Sequence, residues 1–236
     1  MLEKRPTPTS FAVPAKNLAV NLGQRNRERV EVVAKMVPSG KSEAQGQPQD
    51  AQAWEDLYRS QEQLFSGEPN GVLVTEVEGL PPGQALDVGC GEGADARWLA
   101  SRGWQVTALD ISRTALQRAA AANAGIAWVC SDLAASPVPA RAFDLVSVQY
   151  FPLRKDSRVL RKLLDAVAPG GTFLFGSHDP RDLGQEHGDY CQPDDIAQVL
   201  GDEWTVLVKE SRPRVRPAPP GTPHTRDTVL RALRTS

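Results

Sequence analysis

The apolar pattern changes character along the chain. Up to about residue 50, large apolar side chains are few; "RNRERVEVVAKMV" has room for a short helix, but "PSGKSEAQGQPQD" after it has linker composition. From Ala51 a helical spacing sets in, with Trp54, Leu57, Tyr58, Leu64 and Phe65 sharing one face, until "SGEPNG" breaks the chain. From residue 84 short apolar runs alternate with helical patterns. "QALDVG", "WQVTALD", "IAWVCSD", "AFDLVSVQY" and "TFLFGSH" predict strands. Between them, "ADARWLASRG" closes on Gly103 and "SRTALQRAAAANAG" opens on Ser112 as N-cap and ends before Gly125. "DSRVLRKLLDAVAPGG" ends in Pro-Gly-Gly, and "PDDIAQVLG" forms a last short helix. "WTVLVKESR" and "HTRDTVLRALR" follow, separated only by the proline-rich stretch 212–222.

Strands alternating with helices predict an α/β fold: a Rossmann-like, mostly parallel sheet with helices on both faces. The first strands are almost continuously apolar, as strands covered on both sides should be. No helix fits between the last two strands, so they should form an antiparallel pair at the sheet edge. Ligands of such sheets lie at the carboxyl ends of the strands, at the topological switch point.

Composition narrows the partners. The 236 residues are 40 % apolar, enough for a sizeable core, and the net charge of −2 gives no electrostatic case for nucleic acid. Residues 1–50 hold five prolines and eight basic against five acidic side chains; the remainder holds 19 basic and 24 acidic. The expectation is a disordered or dispensable extension over 1–50 and one folded domain over 51–236. Cys90, Cys130 and Cys191 are odd in number and far apart, which fits reduced thiols and neither a disulfide framework nor structural zinc. No run approaches the roughly 20 apolar residues of a membrane span, and the N-terminus lacks the apolar stretch of a signal peptide. A cytoplasmic protein, monomer or homodimer, is expected.

The chemistry centres on Gly89-Cys90-Gly91-Glu92-Gly93-Ala94. As G-x-G-x-x-A before a helix, with Asp110 about 20 residues on, it matches a dinucleotide fingerprint, so an NAD(P)-dependent oxidoreductase is one reading. Charge favours another. Asp87 precedes the first glycine and Glu92 lies inside the turn; carboxylates there repel a diphosphate and attract an ammonium or sulfonium. Asp132, ending the third strand, can accept from an exocyclic adenine amine. A cationic end, a ribose diol and an adenine without phosphate describe S-adenosylmethionine.

These residues carry a resemblance to the class I S-adenosylmethionine-dependent methyltransferases. "ALDVGCGEG", "VTALDIS", "WVCSDL", "FDLVSVQY" and "LLDAVAPGGTFLF" are similar to their successive motifs, in order, and the likeness covers about residues 51–236. "FSGEPN" and "DTVLRALR" look like the small tellurite-resistance and thiopurine-type members. The resemblance implies a seven-stranded sheet ending in an antiparallel hairpin. It also implies that Gly89 and Gly91 let the backbone approach the methionine part, and that Asp87 supports its amino group. Asp110 would take the ribose hydroxyls, with Ile111 against the adenine. Asp132 would hold the adenine amine, Leu133 would cover the ring, and Gln149 would sit near the sulfonium.

Cys90 lies inside the turn but has no histidine near it in sequence, so a small filler of the cofactor wall is preferred to a nucleophile. His178, His187 and His224 do not show metal-ligand spacing, and no metal is expected. Methyl transfer to a small-molecule acceptor is an in-line displacement in which the protein supplies positioning. Where a base is needed, His178 after the fifth strand is the candidate, with Tyr150 after the fourth shaping the acceptor pocket. Residues 54–70 could form a lid, with Asn70 reaching the cofactor's carboxylate. A catalytically silent S-adenosylmethionine-binding protein is the remaining alternative.

Overall fold

The computed structural model describes residues 50–121, 125–155, 158–183, 188–215 and 224–235. The expected extension therefore lies outside the described residues except for Asp50. That residue caps the first helix, its Oδ1 accepting from the Ala53 N–H at 2.8 Å.

Seven strands form one sheet: β1 (Gln84–Val88), β2 (Gln105–Asp110), β3 (Ala127–Cys130), β4 (Phe143–Gln149), β5 (Val167–His178), β6 (Trp204–Pro213) and β7 (Arg226–Arg234). Their order is β3-β2-β1-β4-β5-β7-β6. β1 to β5 are parallel, and β7 runs antiparallel to both β5 and β6. The expected terminal pair is present, but β7 is inserted inside the sheet and β6 takes the edge. β7 pairs along both edges and sends apolar side chains to both faces: Val229, Leu230 and Ala232 are fully buried. The third strand departs from expectation. β3 is an edge strand, with Val129 and Cys130 exposed.

Helices α1 (Ala51–Arg59), α2 (Gly71–Val77), α3 (Ala94–Ser101), α4 (Arg113–Ala120), α5 (Arg158–Ala166) and α6 (Pro193–Ala197) complete the described fold, with a 3-10 turn at Pro180–Leu183. Strand alternation divides the core in two. On one face Ala85, Val106, Ala108, Leu145, Leu174 and Val229 pack against α2 and α3. On the other, Leu86, Val88, Val146, Val148, Phe173 and Phe175 pack against α5 and Ile196 of α6. The sequence pattern missed α2: seven residues are too few to show a helical period, yet Val72 and Leu73 are fully buried. α1 is shorter than its apolar spacing predicts, ending at Arg59, so Leu64 and Phe65 reach their positions through a loop.

Candidate active site

The switch point lies between β1 and β4, where the chain leaves β1 through the glycine turn. Gly89, Gly91 and Gly93 have φ of 68°, 52° and 78°, the left-handed region. A side chain on Gly89 would meet the Phe151 ring at 2.6 Å, and one on Gly91 the Tyr58 hydroxyl at 2.8 Å. These glycines are therefore required first by the protein's own aromatic groups. The turn's donors are also spent internally. Gly89 and Cys90 N–H donate to the Leu109 carbonyl (2.8 and 3.0 Å), Gly93 N–H to the Cys90 carbonyl (2.8 Å), and Gly91 N–H to Asp110 Oδ2 (2.8 Å).

Asp87 is 2 % exposed, and its Oδ2 makes no hydrogen bond. Burial, then the Asp95 and Asp110 carboxylates, push its carboxyl well above the ordinary range; the Ala96 N–H opposes this. Asp110 is buried beside it, holding Gly91 through one oxygen and the Ser112 N–H through the other (2.8 Å). Burial raises its carboxyl too, against those backbone donors. Cys90 is partly buried; burial, with Asp87 and Asp110, pushes its thiol far up, so it carries no thiolate at neutral pH. Ile111 is half-buried, its carbonyl 3.8 Å from Cys130 Sγ. Asp132 is exposed and accepts from the Ala134 N–H at 2.8 Å, while Leu133 is buried in the core on the α5 side. Gln149 is buried at the end of β4; its Nε2 donates to Ser147 Oγ (3.1 Å), and its Oε1 makes no hydrogen bond.

Glu92 behaves differently from its reading as a ligand-facing charge. It pairs with Arg118 at 2.9 Å and accepts from the Leu64 and Phe65 N–H groups. Arg118 also donates to the carbonyls of Tyr58 and Gln61 (2.8 and 2.7 Å). Glu55 of α1 accepts from Ser112 Oγ and Thr114 Oγ1, each at 2.7 Å, and these bonds draw its carboxyl down to about 2. Residues 55–65 are thus fastened over the glycine turn, with Tyr58 buried and Phe65 exposed. Asn70 does not reach freely into the crevice. Its backbone and side-chain N–H groups both donate to Asp95, at 2.7 and 2.8 Å.

Tyr150 and His178, far apart in sequence, meet with ring centroids 4.5 Å apart. Tyr150 has φ of 52°, unusual for a residue with a side chain. Its N–H donates to the Gly176 carbonyl at 2.7 Å and its hydroxyl bonds to Asp227. Burial and then Asp227 raise its hydroxyl pKa. His178 stacks on His224 at 3.9 Å. Burial, His224 and Arg214 lower His178 to about 3, so the imidazole is neutral. Arg214 lies over the Tyr150 ring at 5.6 Å. The sequence singled out two members of this group and missed His224, Arg214 and Asp227. The signal for Arg214 and His224 was the basic stretch "SRPRVRPAPPGTPHTR", which reads by itself as a solvated loop; Asp227 follows it as the second residue of β7. His187 lies outside the described residues.

Residues 85–171 match the family profile described as a methyltransferase domain. The chain is 36 % identical over 107 residues to a malonyl-[acyl-carrier protein] O-methyltransferase of Salmonella typhimurium, an alignment covering 44 % of this chain and 42 % of that protein. It is 29 % identical over 175 residues to a 2-heptyl-1-hydroxyquinolin-4(1H)-one methyltransferase of Mycobacteroides abscessus, covering 65 % of this chain and 76 % of that one. The chain thus spans less than half of the first relative's length. In fold it is similar to the N-methyltransferase NodS of Bradyrhizobium japonicum, with a TM-score of 0.56 and 19 % identity over 70 % of this chain and 84 % of that one. The matched segment makes residues 85–171 similar to a methyltransferase domain, and the sheet order is that of a Rossmann-like fold.

Proposed function

We propose that this protein is an S-adenosylmethionine-dependent methyltransferase that moves a methyl group to a small-molecule acceptor by in-line displacement. One observation carries the reading. The N–H groups of Gly89, Cys90, Gly91 and Gly93 are consumed by protein acceptors, while the buried Asp87 oxygen beside them has no partner. A diphosphate needs free donors and no adjacent carboxylate. An ammonium or sulfonium needs the reverse, so the residues present fit the cationic donor and disfavour a nicotinamide dinucleotide. The similar protein NodS was solved with S-adenosylhomocysteine, which supports the same cofactor here.

When bound, the cofactor supplies an electrophilic methyl group; the chain supplies orientation. Asp87 holds the amino group, and the Gly89–Gly91 backbone lies along the methionine part. Asp110 takes the ribose hydroxyls, Ile111 and Leu133 border the adenine, and Asp132 accepts from its amine. Gln149 Oε1 faces the sulfonium. Tyr150 shapes the acceptor side. With its conjugate acid at about 3, His178 borders that side as a neutral imidazole and a weak base. The reading includes a cytoplasmic protein, monomeric or homodimeric, whose acidic balance favours a small acceptor over nucleic acid. Among the described residues no helix is long and apolar enough to cross a membrane.

Calorimetry tests the proposal. S-adenosylhomocysteine binds, NADH does not, and Asp110→Ala weakens the first by roughly tenfold or more. Binding of NADH with no binding of S-adenosylhomocysteine would overturn it. Transfer of labelled methyl to components of a metabolite extract separates an enzyme from a silent binder.

A further inference from the structure

A polar row continues past the cofactor residues. In the sheet register Asp87 lies beside Ser147, Gln149 beside Gly176, and His178 and Arg212 both beside Asp227. Strand alternation puts Asp87, Gln149, His178, Asp227 and Arg212 on the same face. At the far end of the row, several buried polar atoms lack partners. Among the described residues Arg214 Nε, Arg231 Nε and both Nε and Nη2 of Arg212 are buried without a hydrogen-bond partner, as are Nδ1 of His178 and of His224. Arg212 and Arg231 are charge-balanced by Glu76, at 2.7 and 3.5 Å, and Arg212 also by the half-exposed Glu210. Among the described residues Arg214 has as its anionic neighbour Asp227, at 3.6 Å, a Coulombic contact too long for a hydrogen bond. Asp227 accepts from the Tyr150 hydroxyl, and its Oδ1, the atom nearest Arg214 Nε, makes no hydrogen bond.

Resting on the methyltransferase reading, we propose that Arg214, His178 and His224, around the Tyr150 ring, form the acceptor subsite. It takes a small acceptor that enters as an oxyanion (a carboxylate or an acidic aromatic hydroxyl), so that the methyl group goes to oxygen. A guanidinium N–H donates best to an anionic oxygen, and the unpaired Arg214 Nε is such a donor. An amine would arrive as an ammonium, repelled by Arg214, and would have to lose a proton first. His178, neutral and with its conjugate acid at about 3, does not take that proton. Asp182, the carboxylate that opposes this shift, is already occupied by the Thr225 and Arg226 N–H groups. An oxyanion needs no base. Its lone pair forms the O–C bond as the C–S bond breaks, the C–S electron pair stays on sulfur, and an anion and a sulfonium become two neutral products.

The test uses benzoate and 4-nitrophenol, titrated into the full chain saturated with S-adenosylhomocysteine; benzamide and benzylamine serve as neutral and cationic controls. S-adenosylhomocysteine affinity is measured on each protein, so that a collapsed variant is recognised. Benzoate binds more tightly than benzamide, and 4-nitrophenol binds with the absorption of its phenolate. Arg214→Gln weakens both anions by roughly tenfold, and Arg214→Lys recovers part of the loss. Equal anion affinity in the wild type and Arg214→Gln, no anion binding at all, or tighter binding of benzylamine than of benzoate would overturn the subsite. Failure of S-adenosylhomocysteine to bind the wild type would instead overturn the cofactor reading on which the subsite rests.

Discussion

A single carboxylate sets the character of the cofactor side. Asp87 is buried, has an oxygen without a partner and stands near two further carboxylates, Asp95 and Asp110. Such a residue costs stability in the free protein and repays it only when a cation arrives. Asp87→Asn, which keeps the shape and removes the charge, should therefore raise the melting temperature by several degrees while weakening S-adenosylhomocysteine by roughly tenfold. Thermal melts and calorimetry on the same preparation decide it; a variant that loses stability and keeps cofactor affinity would make Asp87 structural. The sequence named Asp87 and Asp110 correctly as neighbours of the glycine turn, because the strand ends fix where they lie. It misjudged Glu92. A carboxylate inside the turn faces either ligand or protein, and the deciding partner, Arg118, is a helical residue 26 positions away.

At the scale of elements, α1 and the loop after it are held over the turn by side chains on the first two turns that follow β1 and β2. Glu92 and Arg118 grip residues 58–65, and Glu55 reaches the start of α4. Arg118→Ala removes three hydrogen bonds made by a charged group to Glu92, Tyr58 and Gln61. The loss should be about 1–3 kcal/mol, felt mainly as local opening. Limited proteolysis reads this: cleavage between residues 60 and 67 should speed up in the variant, and cofactor should slow it in the wild type. Unchanged cleavage in Arg118→Ala would mean the segment is held by Tyr58 and its apolar contacts alone. The helical spacing of Trp54 to Phe65 located this element without showing that its second half is loop. Apolar periodicity records which side chains are buried, and a loop can bury Leu64 as well as a helix can.

Across the whole domain, Glu76 joins α2 to the last two strands. It is 4 % exposed and meets Arg212 at 2.7 Å and Arg231 at 3.5 Å, bringing together residues more than 130 positions apart. Glu76→Ala leaves two guanidiniums without their shared anion and should cost roughly 2–4 kcal/mol, discounted because both arginines reach solvent at their edges. A urea midpoint that shifts by the equivalent of less than about 1 kcal/mol would show that packing of Val72 and Leu73 suffices to seat α2. No local signal marked Glu76, since a single glutamate in a short apolar segment reads the same whether it is buried or solvated.

The order of the strands, the helices from α3 onward, the parallel sheet, the glycine turn and the acids at the ends of β1 and β2 were determined by the sequence alone. Each depends on contacts between near neighbours: alternation along a strand, a cap, a turn, a strand and the helix after it. The tertiary structure alone decided that β7 enters the sheet beside β5, that β3 lies exposed at the edge, and that Glu92 and Asn70 serve the protein before any ligand. It also decided that His224, Arg214 and Asp227 gather around Tyr150 and His178. Those outcomes join segments remote in the chain, and charge or burial at such a meeting depends on which partner arrives, which no local pattern encodes.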